Sequence, residues 1–356
     1  MTDSRPAILV TGVAGNLGTR LLPFLDDFRV IGVDLSPVAG RPDIPLHPLN
    51  LGHESSCVQL VKLLRESGAV AVVHLAFVID PLRTGITDQE RMWQINVAGT
   101  GRVMEAIAEV NRHGGSISKF IYPSSVSVYG PETPPFVNED APLGAHSLTY
   151  AVHKAEADHA VRFRAAALGR CSTYLLRPHI FAGASVENYL VNAIRGRAFG
   201  NGRLGQKLRR EDKRLPLLLP YGRSYPQKLL QFVHVDDMAR LIAWLLKRPE
   251  PEQGELTLLN VAGSGSPITI ARCVELAQAK IMRLPTRWLC SKIVALGWRY
   301  GISSVPAGAY PYMCGSYTMN TERLQKLLGD DYKRVIRYSN EEALRDSFVD
   351  LAQEQS

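Results

Sequence analysis

A glycine-rich turn constrains this chain more than any other feature. Val10-Thr11-Gly12-Val13-Ala14-Gly15-Asn16-Leu17-Gly18 joins a short apolar strand, Ala7 to Val10, to a stretch in which Leu17, Leu21, Leu25 and Phe28 recur at helical spacing. A strand that feeds a helix through such a turn belongs to an α/β sheet. Glycines let the backbone turn tightly and approach a pyrophosphate, and the helix N-terminus offers free N–H groups and a positive dipole end. The spacing is Gly-x-x-Gly-x-x-Gly, not Gly-x-Gly-x-x-Gly, and a bare tight turn would look the same.

Asp34 separates the two readings. It follows a second apolar strand, Val30 to Val33, about 20 residues after the first glycine, where an acid accepts hydrogen bonds from adenosine ribose hydroxyls. Leu35 and Ser36 come next, so no adjacent cation would hold a 2′-phosphate. The expected cofactor is NAD rather than NADP. Gly12, Gly15, Asn16, Leu17, Gly18 and Asp34 are its candidate contacts.

Further apolar runs at Val70 to Leu75, Phe120 to Tyr122 and Leu175 to Pro178 alternate with helical stretches, one carrying Ile95, Val97, Val103, Ile107 and Val110. That order predicts a doubly wound parallel sheet of Rossmann type. After Pro178 the pattern loosens, then returns to strand-turn-helix from Phe232 and to a strand at Leu256 to Val261. The expected division is a nucleotide-binding domain over 1–178, with 229–262 returning to it. A smaller, discontinuous substrate-binding part comprises 179–228 and 263–356.

Composition limits the class. Of 356 residues, 46% are hydrophobic and 21% charged, which excludes disorder and predicts a soluble globular chain. The apolar run near 69–79 contains His74 and is shorter than the roughly 20 residues that span a bilayer. The N-terminus carries no leader pattern. Five scattered cysteines, with no CxxC and no zinc spacing, predict reduced thiols, a cytoplasmic protein and no metal. The net charge of +7 is local: residues 195–228 carry +8, leaving about −1 elsewhere. Three readings of that segment stand: a solvated loop, a grip on an anionic substrate group, or peripheral contact with an anionic membrane. Nucleic acid is not expected, because no recognised module accompanies the charge.

Tyr150-Ala-Val-His-Lys154 places Tyr and Lys on one helical face. A nearby ammonium favours the phenolate, so the Tyr150 pKa is expected to fall and make it a general acid/base for an alcohol or ketone. The pair gains weight from its order in the chain. It follows a glycine turn, an acid after the second strand, and Ser124-Ser125 after a later strand.

These stretches, with His74-Leu75-Ala76, Asn96-Val97-Ala98-Gly99-Thr100, Ser124 to Gly130, Leu176-Arg177-Pro178, Phe232 to Asp237 and Asn260-Val261, resemble the extended short-chain dehydrogenase/reductase family, the NAD-dependent epimerase/dehydratase group. The resemblance spans about 7–262. It implies that Ser125 hydrogen-bonds the reacting oxygen, Tyr150 exchanges its proton, and Lys154 holds the nicotinamide ribose. It further implies that Leu75, Ala76 and Asn96 line the cofactor, that Pro178 and His179 lie near the nicotinamide, and that Asn50-Leu51 stand at the adenine. A homodimer through the helices of 96–110 and 150–167, with Ala155, Ala157, Ala160 and Ala165 to Ala167 permitting close approach, is also implied. His153 is expected to be inert, and His234 structural.

The substrate is read from departures. Val126 and Ser127 stand where family dehydratases carry an acid, which disfavours dehydration. Ile180 and Leu230 stand where nucleotide-sugar enzymes of the family present Asn and Arg. The resulting expectation is hydride transfer at a secondary alcohol or ketone, with an apolar, sterol-like substrate held by the aromatic segment 284–314. Nucleotide-sugar 4-epimerisation of UDP-glucose type is the alternative, with Arg209, Arg210 or Arg223 supplying the missing cation. A non-catalytic NAD-binding assembly protein is the third, disfavoured by the intact Ser125, Tyr150 and Lys154.

Overall fold

The computed structural model describes residues 4–79, 86, 88–249 and 254–349. The apolar runs pair into a seven-stranded, wholly parallel sheet. Its strands are β1 (Ala7–Thr11), β2 (Arg29–Val33), β3 (Leu46–His47), β4 (Ala69–His74), β5 (Lys119–Pro123), β6 (Ser172–Pro178) and β7 (Leu256–Val261). In space they run β7-β6-β5-β4-β1-β2-β3. The direction of travel therefore reverses between β1 and β4, which opens a crevice at their C-terminal ends.

Alternation along the strands builds two cores. Ile8, Val10, Val73, Ile121 and Leu176 point to one face, where α1 (Asn16–Leu21) contributes Leu21 and α5 (Val235–Lys247) contributes Met238 and Leu241. Leu9, Val33, Val72, Phe120 and Leu175 point to the other. There α2 (Ser56–Ser67), α3 (Gly99–Arg112) and α4 (Thr149–Arg164) lay down Leu60, Val103 and Ala157. Helix α1 is shorter than its apolar spacing suggests. Leu22–Phe24 forms a 3-10 turn around Pro23, whose ring blocks further α-helix. Leu25 and Phe28 are still buried, from the loop beyond.

The second part is built from short strand pairs. Ile180–Ala182 lies parallel to Phe232–His234, and Leu217–Pro220 lies parallel to Ile281–Leu284. Residues 322–336, expected in the second part, send Leu324, Leu328, Val335 and Ile336 into the sheet's first core. No helix among the described residues is long and apolar enough to cross a membrane.

Candidate active site

Gly12 ends β1 at the crevice. Its N–H donates to Val33 O at 2.8 Å and its φ is +69°. A Cβ there would lie 2.5 Å from Ala76 N, so only glycine lets the ends of β1 and β4 approach. A Cβ on Gly18 would lie 2.5 Å from Val13 O. Exposed Gly15 is the N-cap of α1 with no side-chain cap, which leaves the leading amides of the helix for an anion. Asp34 sits over the turn, Oδ2 accepting from Ala14 N at 3.0 Å and Oδ1 from Ser36 N at 3.1 Å. Asn16 Nδ2 donates to Ser185 O at 2.7 Å and ties the turn to the second part, while Leu17 is half-buried against the sheet core. This cradle fits a dinucleotide pyrophosphate.

A hydrogen-bonded relay stabilises the β4 side. Thr11 Oγ1 accepts from Ala76 N at 3.2 Å, so its own proton goes to His74 Nδ1 at 2.6 Å. His74 Nε2 then donates to Thr100 Oγ1 at 3.0 Å, and Thr100 donates to Asn96 O at 2.7 Å. Burial, aided by the Lys154 charge, pushes His74 down to about 3 and keeps the ring neutral. Asn96 lies in a π-helical turn, Gln94–Ala98, that opens α3. Its amide grips both Val78 N, at 2.7 Å, and Val78 O, at 3.1 Å. It thereby holds the segment that begins at Leu75-Ala76. His153, expected to be inert, reaches Asn96 Nδ2 through Nδ1 at 3.3 Å. Asn50 Oδ1 accepts from Gly52 N at 3.0 Å and shapes a turn, and Leu51 is buried.

Ser125, Tyr150 and Lys154 come together. Ser125 caps the 3-10 turn Val126–Tyr129 that follows β5, its Oγ accepting from Ser127 N at 3.2 Å and Ser127 Oγ at 2.9 Å. Tyr150, in the first turn of α4, lies near Ser125 and meets the Phe77 ring edge-on at 5.8 Å. Lys154 Nζ donates to Pro123 O at 2.7 Å and lies 3.8 Å from the Phe77 ring centre and 4.8 Å from that of Tyr122. Burial lowers the Lys154 ammonium to about 7. Burial also raises the Tyr150 phenol, the nearby Ser125 side chain offsetting part of the rise. This corrects the expectation that Lys154 draws Tyr150 down. The ammonium is committed to a carbonyl and two ring faces, and desolvation dominates.

Beneath the triad lies a buried network that the sequence motifs do not announce. Asp158 and Arg177 are fully buried and pair in bidentate fashion, Nη2 to Oδ1 at 2.8 Å and Nε to Oδ2 at 2.9 Å. Ser124 Oγ donates to the same carboxylate at 2.7 Å. Arg177 Nη1 donates to Tyr129 OH at 2.8 Å, and Tyr129 donates to Asn260 Oδ1 at 2.7 Å. Burial opposes the Arg177 charge, but the Asp158 hydrogen bonds hold its pKa above the ordinary value. Tyr150, Lys154 and Asp158 fall at four-residue steps on α4, a spacing that could have revealed Asp158. Pro178 is buried at the end of β6. His179 Nδ1 accepts from Ile180 N at 2.9 Å, its Nε2 donates to Tyr317 O at 2.8 Å, and its ring stacks on Tyr317. Burial pushes it down to about 4, so it is neutral and offers a neighbour only its ring.

A cavity of about 260 Å³ opens one 3-10 turn beyond Ser125, lined by Tyr129, Gly130, Glu132, His146 and Arg287 among others. Arg287 pairs with Glu132 at 2.7 Å. Its presence had no sequence signal. Arg209 is instead bonded to the Ala198 and Gly200 carbonyls, while Arg210 and Arg223 are exposed. Leu230 is buried, and Gln231 bonds both the N–H and the carbonyl of Met319. Segment 284–314 divides: Tyr310, Tyr312 and Met313 are core, whereas Trp288 and Trp298 are 67% and 38% exposed. The two tryptophans are exposed and are not part of this cavity's lining, whereas the segment was expected to hold an apolar substrate.

The family model described as NAD dependent epimerase/dehydratase matches residues 8–262. A UDP-glucose 4-epimerase from Azospirillum brasilense is 30% identical over 292 residues, 77% of each chain. Among solved structures, MoeE5 in complex with UDP-glucuronic acid and NAD superposes with a TM-score of 0.65 at 20% identity, covering 98% of this chain and 100% of its own. The UDP-glucose 4-epimerase of Thermotoga maritima with UDP-glucose gives 0.64 at 17% identity, with 98% and 100% covered. At these identities the two structures share the fold.

Proposed function

The chain belongs to the NAD-dependent epimerase/dehydratase family, and from that premise we propose that it epimerises a nucleotide-diphosphate sugar of UDP-glucose type. It is an NAD-dependent enzyme of the extended short-chain type. When bound, NAD supplies the hydride acceptor and returns the hydride. Tyr150 takes the proton of the sugar hydroxyl as the carbinol becomes a ketone, and gives it back when the opposite face is reduced. Ser125, beside Tyr150, steadies the carbonyl oxygen. Lys154, on the same face of α4 as Tyr150, would hold the nicotinamide ribose. Asp158 and Arg177 fix the floor on which Ser125 and Tyr150 rest.

The observation that carries this reading over the apolar one is the cavity one 3-10 turn beyond Ser125, whose lining places the charged Arg287 and Glu132 with His146. Arg287, paired with Glu132 at 2.7 Å, would supply the cation that Leu230 does not by exchanging that carboxylate for an anionic substrate group. The likeness to the Azospirillum brasilense UDP-glucose 4-epimerase supports the same substrate class.

The test is incubation of the purified chain with NAD and UDP-glucose, followed by chromatography for UDP-galactose without added reductant. Arg287→Gln should raise KM by roughly 10- to 100-fold, the scale of one charge-assisted hydrogen bond, with a smaller change in kcat. No conversion of UDP-glucose, together with oxidation of an apolar secondary alcohol, would restore the reading that Ile180 and Leu230 favour.

A further inference from the structure

Helix α6 (Arg287–Arg299) is built unlike the helices around the sheet. Of its 13 residues only Cys290 is buried. Trp288, Lys292 and Leu296 follow at four-residue steps and Arg299 three further on, so they share the outward face. Trp288 is 67% and Leu296 50% exposed, and Lys292 Nζ lies 5.6 Å from the Trp288 ring centre. No acid interrupts the helix. A stable water-exposed helix normally hides its apolar stripe; this one presents tryptophan and leucine among cations.

The cationic segment that stood apart in the sequence meets this helix in space. Helix Arg203–Arg210 (Arg-Leu-Gly-Gln-Lys-Leu-Arg-Arg) also lacks acids. Its N-terminus is fastened to the end of α6: Gly200 N donates to Ile302 O at 3.1 Å and Gly202 N to Gly301 O at 2.9 Å. A Cβ on Gly205 would lie 2.5 Å from Gly301 O, so the contact is backbone on backbone. Among the described residues, more than half of the exposed large apolar side chains fall between Leu204 and Tyr300. The helix Arg203–Arg210 and α6 thus bring a strongly cationic stretch against one that exposes Trp288, Ile293 and Leu296.

We propose that this face docks the enzyme on a bilayer surface rich in anionic lipid. Lys and Arg near such a surface are attracted within a Debye length, and Trp, Tyr and Leu gain by entering the headgroup boundary. No helix among the described residues is long and apolar enough to span, and the docking proposed is peripheral. A second copy of the chain suits the face poorly, because pairing would bring two segments of +8 together. A polyphosphate strand would leave Leu296 and Ile293 without a partner.

The test is flotation of the full chain with vesicles of equimolar phosphatidylglycerol and phosphatidylcholine, against vesicles of phosphatidylcholine alone, in about 0.1 M salt. The protein should float with the anionic vesicles, stay behind with the zwitterionic ones, and be released as salt is raised. The pair Trp288→Ala with Leu296→Ala should lower vesicle affinity about tenfold or more. The pair Arg203→Gln with Arg210→Gln should do the same and flatten the salt dependence. NAD titration of each variant, expected unchanged, shows that the fold is intact. Failure of the wild type to float with anionic vesicles, or undiminished flotation of both variant pairs, overturns the proposal. So does a light-scattering change from dimer to monomer in the Trp288/Leu296 variant with vesicle binding retained, which would assign the face to a second copy.

Discussion

Lys154 carries a charge in a place that penalises charge. It is buried against Phe77 and Tyr122, with the Pro123 carbonyl as hydrogen-bond acceptor. Its folded pKa of about 7 lies below the unfolded value of about 10.4, so between those values the unfolded chain binds more protons. Stability therefore rises with pH through that window, and the burial penalty is fully present below it. Lys154→Met should remove this component: urea denaturation of the two proteins from pH 6 to about 10 should show a shallower rise in the variant. Tyr150→Phe should lower turnover by roughly 100-fold or more while NAD titration stays nearly unchanged. Full turnover by that variant on a verified substrate would remove Tyr150 from the chemistry. Asp34→Ala should weaken NAD binding and narrow its advantage over NADP, measured by fluorescence titration of both. Equal wild-type affinity for the two would discard the role given to Asp34.

Helix α4 connects chemistry to stability. Its one face carries Tyr150 and Lys154 to the crevice and Asp158 to the buried Arg177. Removing one partner of a fully buried ion pair leaves the other uncompensated, which costs about 3–5 kcal/mol. Asp158→Ala should therefore lower the melting temperature sharply and also release Ser124, the neighbour of Ser125. A melting temperature within error of wild type would show that the pair contributes nothing. Glycine acts at the same scale in the β1–α1 turn. The packing of Gly12 against Ala76 lets the ends of β1 and β4 approach at the crevice.

Assembly belongs to the whole molecule. Ala155 and Ala157, expected at a dimer face of α3 and α4, are buried inside the protomer. The outward stripe of α4 and the turn after it is Glu156, Ala160, Phe163 and Ala167, with Phe163 89% exposed. We expect a homodimer through that stripe, and Phe163→Asp should convert it to a monomer at micromolar concentration in light scattering, because a carboxylate would be buried without a partner. A wild-type monomer would remove the premise. This stripe lies on the sheet-covering helices, whereas the basic and aromatic stretch lies on the second part, so a dimer through the one and bilayer contact through the other would use separate surfaces.

Local rules were enough for the first half of the chain. Strand, glycine turn and helix follow one another within the span where period-2 and period-3.6 patterns are legible, so the parallel sheet, the Gly12 to Gly18 cradle and the shared face of Tyr150 and Lys154 could be read from the residues, while the place of Ser125 beside them was implied by the family resemblance. The remainder depended on contacts between distant segments. Leu217–Pro220 becomes a strand only because Ile281–Leu284 pairs with it. Arg287 reaches the cavity beside Tyr129 from the far end of the chain. Whether Trp288 is core or surface is decided by what packs on α6, and its own residues give no sign of that. The Tyr150 pKa also turned on burial and not on the four-residue step to Lys154, because desolvation is set by everything that surrounds the group and spacing reports only one neighbour.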